Sequence, residues 1–268
     1  MKTRAITGFF FVGVMLASVL LGAYAFTLFF LILCVLCTEE FYRLVTRPDV
    51  KPQKRWGLAL VISIYLPLSM YFFKGEPLIN TLICVPVTIL VIVAELFRKY
   101  ENPFHNISYT IFGVLFAAVP FCFFYAIAFT DGNYSYHYPL AFLVLLWSSD
   151  TGAYLFGINL GKHRLFERHS PKKTWEGFAG GMLTSLFAAF IISHYFNELS
   201  MVHWLGMSAI IATAGTLGDL SESMLKRSLS TKDSGSLLPG HGGLLDRFDG
   251  LLLAAPLVFV YLQFIKTF

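Results

Sequence analysis

The densest set of groups able to do chemistry lies between Thr231 and Gly250, TKDSGSLLPGHGGLLDRFDG. Gly235, Gly240, Gly242 and Gly243 let backbone N–H groups approach a ligand without side-chain obstruction. Asp246 and Asp249 stand three apart and share one side of any helix that starts there, with His241 and Arg247 as added donors. A helix cap needs one acid rather than two, so this pair points to a metal or phosphate site.

Three upstream segments carry the same kind of residue. Gly218-Asp219-Leu220-Ser221-Glu222-Ser223-Met224-Leu225-Lys226-Arg227, if helical, sets Asp219, Ser223 and Lys226 along one face. That face could hold a metal and a phosphate, or form a neutralising network between helices. Ser170-Pro171-Lys172-Lys173-Thr174-Trp175-Glu176-Gly177 places two lysines and two hydroxyls ahead of a helix, which suits either a phosphate or anionic lipid heads. Asp150 follows Leu143-Val-Leu-Leu-Trp-Ser-Ser, and an acid at membrane depth marks a site or an interhelical hydrogen bond. Glu39-Glu40 and Glu95 fall at helix ends, where solvated caps are expected. Other nucleotide devices are missing. Gly157-Ile-Asn-Leu-Gly161-Lys162 is one residue short of a phosphate loop and lacks its Ser/Thr, and no GxGxxG, HExxH or GxSxG occurs.

The elements that must position these groups are membrane helices. Of 268 residues 56% are hydrophobic and 13% charged, half the charge of a soluble domain, and mean hydropathy is +0.67. Apolar runs of about 20 residues recur, each enough to cross a hydrocarbon core. They predict an all-α polytopic membrane protein of about nine spans, near 6–22, 25–42, 57–73, 78–97, 108–130, 138–157, 177–197, 201–220 and 250–266. All Lys and Arg except Lys74 and Lys266 then fall on one side. By the positive-inside rule the amino-terminus and basic loops face the cytoplasm and the carboxy-terminus faces outside. Ala23-Tyr24-Ala25 looks like a signal cleavage site, but Phe26 begins another apolar helix at once, so retention is expected. Cys34, Cys37, Cys84 and Cys122 all lie in apolar runs and read as small buried hydrophobes. A net charge of only +4 gives no reason to expect nucleic acid as a partner. The chain divides into 1–149, five helices and the start of a sixth, and 150–268, where the polar residues crowd.

The pattern Ser223-x-x-Lys226-Arg227-x4-Lys232-Asp233-x-Gly235-x2-Leu238-Pro239-Gly240-His241-Gly242-Gly243-x2-Asp246-Arg247-x-Asp249 resembles the signature of the phosphatidate cytidylyltransferases, the CDP-diacylglycerol synthases. Ser170-Pro-Lys-Lys-Thr-Trp-Glu-Gly and Asp150-Thr-Gly-Ala-Tyr resemble the same family, so the likeness is strong from about 150 to 250. Before 150 it rests on hydropathy and the opening Lys-Thr-Arg-Ala-Ile-Thr-Gly. The resemblance implies a multi-pass protein of the cell (inner) membrane, homodimeric, with a polar cavity open to the cytoplasm. It implies that CTP and phosphatidate react with Mg²⁺ to give CDP-diacylglycerol and pyrophosphate, and it allows a second cation such as K⁺. Laid on that family, Asp219 and Asp246 hold Mg²⁺ and Asp249 completes or orients the shell. Ser223 and Asp233 join the substrate site, where Lys226, Arg227, Lys232 and Arg247 neutralise CTP phosphates and departing pyrophosphate. Lys173 with Ser170 receives the phosphatidate headgroup, Asp150 is a further candidate for the site, and His241 with its glycines forms a pliable lid.

Two other readings compete. A CTP-dependent polyprenol or phytol kinase would transfer the γ-phosphate to an alcohol, and an ion-coupled transporter would also use Asp150 and Asp219. Transporters often show mirrored halves, whereas here the polar residues crowd into 150–250.

Overall fold

The computed structural model describes residues 2–235 and 242–267, with side chains from Gly8 onward. The helices are α1 (Lys2–Leu20), α2 (Ala23–Val45), α3 (Lys54–Lys74), α4 (Cys84–Leu96), α5 (Pro103–Gly113), α6 (Val119–Ile127), α7 (His137–Leu160), α8 (Trp175–Tyr195), α9 (Met201–Ser228) and α10 (Leu245–Thr267). A 3₁₀ turn, Leu78–Ile83, leads into α4, and a π segment, Val114–Ala118, joins α5 to α6. Among the described residues eight continuous helical segments are long and apolar enough to cross a membrane. Hydrocarbon offers no partner for backbone N–H and C=O, and a helix satisfies them within the segment. The all-α membrane architecture expected from hydropathy is what the chain adopts.

Punctuation along the chain follows local chemistry. Gly75 closes α3 in the left-handed conformation at φ 66°, its N–H on Tyr71 O at 3.1 Å. Pro103 opens α5, where its missing N–H costs nothing. Pro120 has no N–H for the carbonyl of Phe116, so the ladder slips there into the wider π pattern.

The chain forms two compact units, 1–125 with 233–245, and 126–232 with 246–268. In the first, Tyr42 of α2 is fully buried and donates to Thr110 O at 2.7 Å. A Cβ on Gly57 or Gly113 would run into its ring, so those glycines admit it. Glu95 was expected as a solvated cap; instead it is 3% exposed. It accepts from Gln53 Nε2 at 2.5 Å, Asn106 Nδ2 at 2.6 Å and Arg98 Nη1 at 2.8 Å. A carboxylate so surrounded ties α4 to α5 and to the start of α3, and burial without those donors would be costly.

In the second unit, α7, α8 and α9 pack side by side. Small residues bring α7 and α8 close, since a Cβ on Gly152, Gly180 or Gly181 would strike atoms of the facing helix. Ser208 Oγ donates to Ser185 Oγ at 2.9 Å, and Ser185 Oγ to Leu145 O at 3.0 Å, which joins the three helices by a polar chain. Between α7 and α8 a short antiparallel hairpin, β1 (Arg164–Phe166) and β2 (Ser170–Thr174), carries the SPKKT residues. Hydropathy alone had marked this stretch as a loop. Thr174 caps α8 by accepting from Gly177 N at 3.1 Å.

Candidate active site

α9 runs to Ser228, two turns past the expected end near 220, so the helical condition on Asp219, Ser223 and Lys226 is met. Ser223 Oγ donates to Asp219 Oδ1 at 3.3 Å. Asp219 Oδ2 meets Lys173 Nζ at 2.6 Å, and the same ammonium lies 3.4 Å from Thr216 O. β2 therefore delivers its second lysine to the α9 carboxylate, while Lys172 stays exposed and Ser170 is half-buried at the strand's start. Asp249 interacts electrostatically with Asp219, Asp150 and Lys173, and one of its oxygens accepts from Gly250 N at 2.7 Å. Asp150, on α7, is in turn a charge neighbour of Asp219 and Lys173. Three carboxylates thus gather around one lysine.

A second group lies beside the first. Lys226 Nζ donates to Asp246 Oδ1 at 2.6 Å and also pairs with Glu222, one turn back on α9. The Glu222 side chain is 0% exposed, Lys226 13% and Asp246 10%. Glu222 interacts electrostatically with Asp249 as well, so Asp249 belongs to both groups and makes the acids continuous. Glu222 had no part in the sequence reading. Its signal was present, since it is four residues before Lys226 and three after Asp219, but an acid beside a lysine on a helix commonly reads as a surface pair.

Asp219 and Asp246 do not meet at one point: each is held by its own lysine. Among the described residues no three His, Cys, Asp or Glu side chains converge enough to hold a metal alone. The donor chemistry nevertheless suits magnesium. Asp150, Asp219 and Asp249 outnumber Lys173 and together offer hard carboxylate oxygens. Mg²⁺ typically takes one or two carboxylates and completes its shell with water and substrate phosphate rather than a protein cage.

The remaining expected residues are more open. Arg227 is exposed and donates to Thr231 O at 3.3 Å; Lys232, Asp233 and Arg247 are exposed. His241 lies outside the described residues. Two signature glycines have a role that composition did not suggest. Gly235 and Gly243 flank the undescribed 236–241 and lie against the carboxylate of Glu40, where added Cβ atoms would collide with it. Glu40 itself, expected as a solvated cap, is 6% exposed.

Acids and lysines held between packed helices of a multi-pass protein form a polar site within the membrane that is suited to cations and phosphate groups. The comparisons narrow this chemistry. The model of the cytidylyltransferase family matches residues 2–265, and the chain belongs to that family. Similar proteins named phosphatidate cytidylyltransferase occur in Staphylococcus haemolyticus (strain JCSC1435), at 34% identity over 98% of this chain and 99% of the relative, and in Bacillus subtilis (strain 168), at 32% over 98% and 97%. One from Haemophilus influenzae is 34% identical over 78% of this chain and 65% of its own length.

Proposed function

We propose that this protein transfers the cytidylyl group of CTP to phosphatidate, giving CDP-diacylglycerol and pyrophosphate. The observation that carries the reading is similarity along nearly the whole chain to proteins named for that reaction. In the step, a phosphate oxygen of phosphatidate attacks the α-phosphorus of CTP, a new P–O bond forms, and the bond to the β-phosphate oxygen breaks. The electron pair leaves with pyrophosphate, so positioning and neutralisation of charge supply most of the catalysis.

The residues divide the work. Lys226, Arg227, Lys232 and Arg247 neutralise the CTP phosphates and the departing pyrophosphate. Lys173, with Ser170, takes the phosphatidate headgroup, exchanging Asp219 for the lipid phosphate as it does so. Asp219 and Asp246 would hold magnesium, with Asp249 between them and Asp150 adding negative charge. Bound magnesium would draw charge from the phosphate oxygens and orient them in line. Ser223 steadies Asp219. Phosphatidate arrives ionised, so no base need take a proton. The basic loops face the cytoplasm, where CTP is, in a homodimer in the cell membrane with the carboxy-terminus outside.

The test is incubation of purified protein with CTP labelled in the cytidine, phosphatidate and Mg²⁺. Label in organic-soluble lipid with release of pyrophosphate supports the reading. Water-soluble CDP with a phosphorylated lipid would replace it by a kinase, and no turnover would remove it.

A further inference from the structure

We infer that Glu40, on α2, is a positioning residue that fixes the start of α10, and that catalysis depends on it; the catalytic part rests on the cytidylyltransferase reading. The first N–H groups of a helix have no partner inside it and need an acceptor. At α10 that acceptor comes from elsewhere in the chain. Glu40 Oε2 accepts from Leu244 N at 2.8 Å, and Oε1 from Leu245 N at 2.9 Å. Oε1 also accepts from Ser234 Oγ at 2.5 Å. One buried carboxylate thus holds chain on both sides of residues 236–241, and its negative charge sits where a helix amino-terminus favours an anion.

Two further observations show that the space is built for it. A Cβ on Gly235 would lie 2.9 Å from Glu40 Cδ, and one on Gly243 would overlap Oε1. Those hydrogen bonds pin the carboxylate, so it cannot swing away as a free surface side chain could. Leu245 is followed directly by Asp246, Arg247 and, one turn on, Asp249. Fixing the N–H groups of Leu244 and Leu245 fixes where α10 begins, and with it the orientation of those three side chains. It also supplies a cap to the helix from outside the DRFD sequence.

Glu40→Gln tests this, because it keeps the volume but turns one of the two acceptors into a donor facing an N–H. We expect kcat to fall at least tenfold, with the KM for each substrate within about threefold and the folded fraction at assay temperature unchanged. Hydrogen exchange at Leu244 and Leu245 should accelerate at least tenfold, while amides in α7 and α8 stay as in the parent. Normal kcat with accelerated exchange would overturn the positioning role, and unaccelerated exchange would overturn the clamp. If Glu40→Gln does not fold, Ser234→Ala decides: it removes one of the three bonds, and a kcat within twofold of the parent with unchanged exchange at 244–245 overturns the proposal. A parent protein without cytidylyltransferase activity defeats the functional reading instead, and the exchange measurements still judge the clamp.

Discussion

Lys226 bonds two carboxylates at once, and removing it should cost far more than removing either acid's charge. With both acids ionised, the group Glu222–Lys226–Asp246 carries one cation between two anions, and the Glu222 side chain is wholly buried. Lys226→Met leaves the two carboxylates facing each other without a cation. Breaking a buried pair by deleting one partner costs about 3–5 kcal/mol. At about 2–4 °C per kcal/mol for a chain of this size, the thermal midpoint should fall by roughly 6–20 °C. Glu222→Gln leaves the Lys226–Asp246 contact in place and balances the charge, so its midpoint should stay within about 3 °C of the parent. The double variant Glu222→Gln/Lys226→Met should recover about 2 kcal/mol of the loss, because contacting groups are not additive. The assay is detergent-solubilised protein heated and followed by the monodisperse fraction surviving on gel filtration. Equal falls for Lys226→Met and Glu222→Gln would refute the reasoning, since Lys226 would then not be the cation that both acids require.

Asp219→Asn and Asp246→Asn should each lower the turnover rate at least about a hundredfold, the scale of removing a key electrostatic stabiliser, while folded protein is still recovered. More than half of normal turnover in labelled-CTP assays would make either acid structural. Lys173→Ala should raise the KM for phosphatidate about ten- to hundredfold, as expected for loss of one charge-assisted contact; a rise in the KM for CTP instead would redistribute the two substrates. EDTA should abolish lipid labelling and Mg²⁺ should restore it, and turnover undiminished in EDTA would remove the metal. In a cysteine-free background, a cysteine at the exposed position 49 should react with an impermeant reagent only in opened membranes and one at the exposed position 133 in intact cells. The reverse pattern would invert the topology.

What could be read from the residues depended on whether their partners were near in sequence. Helices near 57–73, 78–97 and 201–220 were legible because hydrocarbon leaves apolar runs little alternative, and α3 and the stretch ending in α4 lie where hydropathy put them. The end of α9 was not legible from hydropathy, since Glu222, Ser223, Lys226 and Arg227 interrupt the apolar run in its last two turns and Lys226 is held by Asp246 of α10. The signature residues marked the acids and lysines but not their pairing. Nothing in local spacing says that Lys173 meets Asp219, 46 positions on, at 2.6 Å. Glu40 and Glu95 were misjudged for the same reason. An acid near a helix end reads as solvated until the donors that surround it, Leu244 and Leu245 for one, Gln53 and Asn106 for the other, are brought in by the fold.

The reach of Glu40 also sets an order of events in biogenesis. Its bonds to Leu244 and Leu245 span 204 and 205 residues. At about 5–20 residues per second of synthesis, α2 is made roughly 10–40 s before the amides that its carboxylate will hold. Through that interval a charged group waits near one end of an apolar helix, paired with water. The bundle around α2 can therefore seal only when the chain is nearly finished, and a ribosome stalled before residue 244 should leave the α2 end open to small polar reagents. Completion of the signature segment, with only the rest of α10 still to be made, is then the step that closes this end of α2.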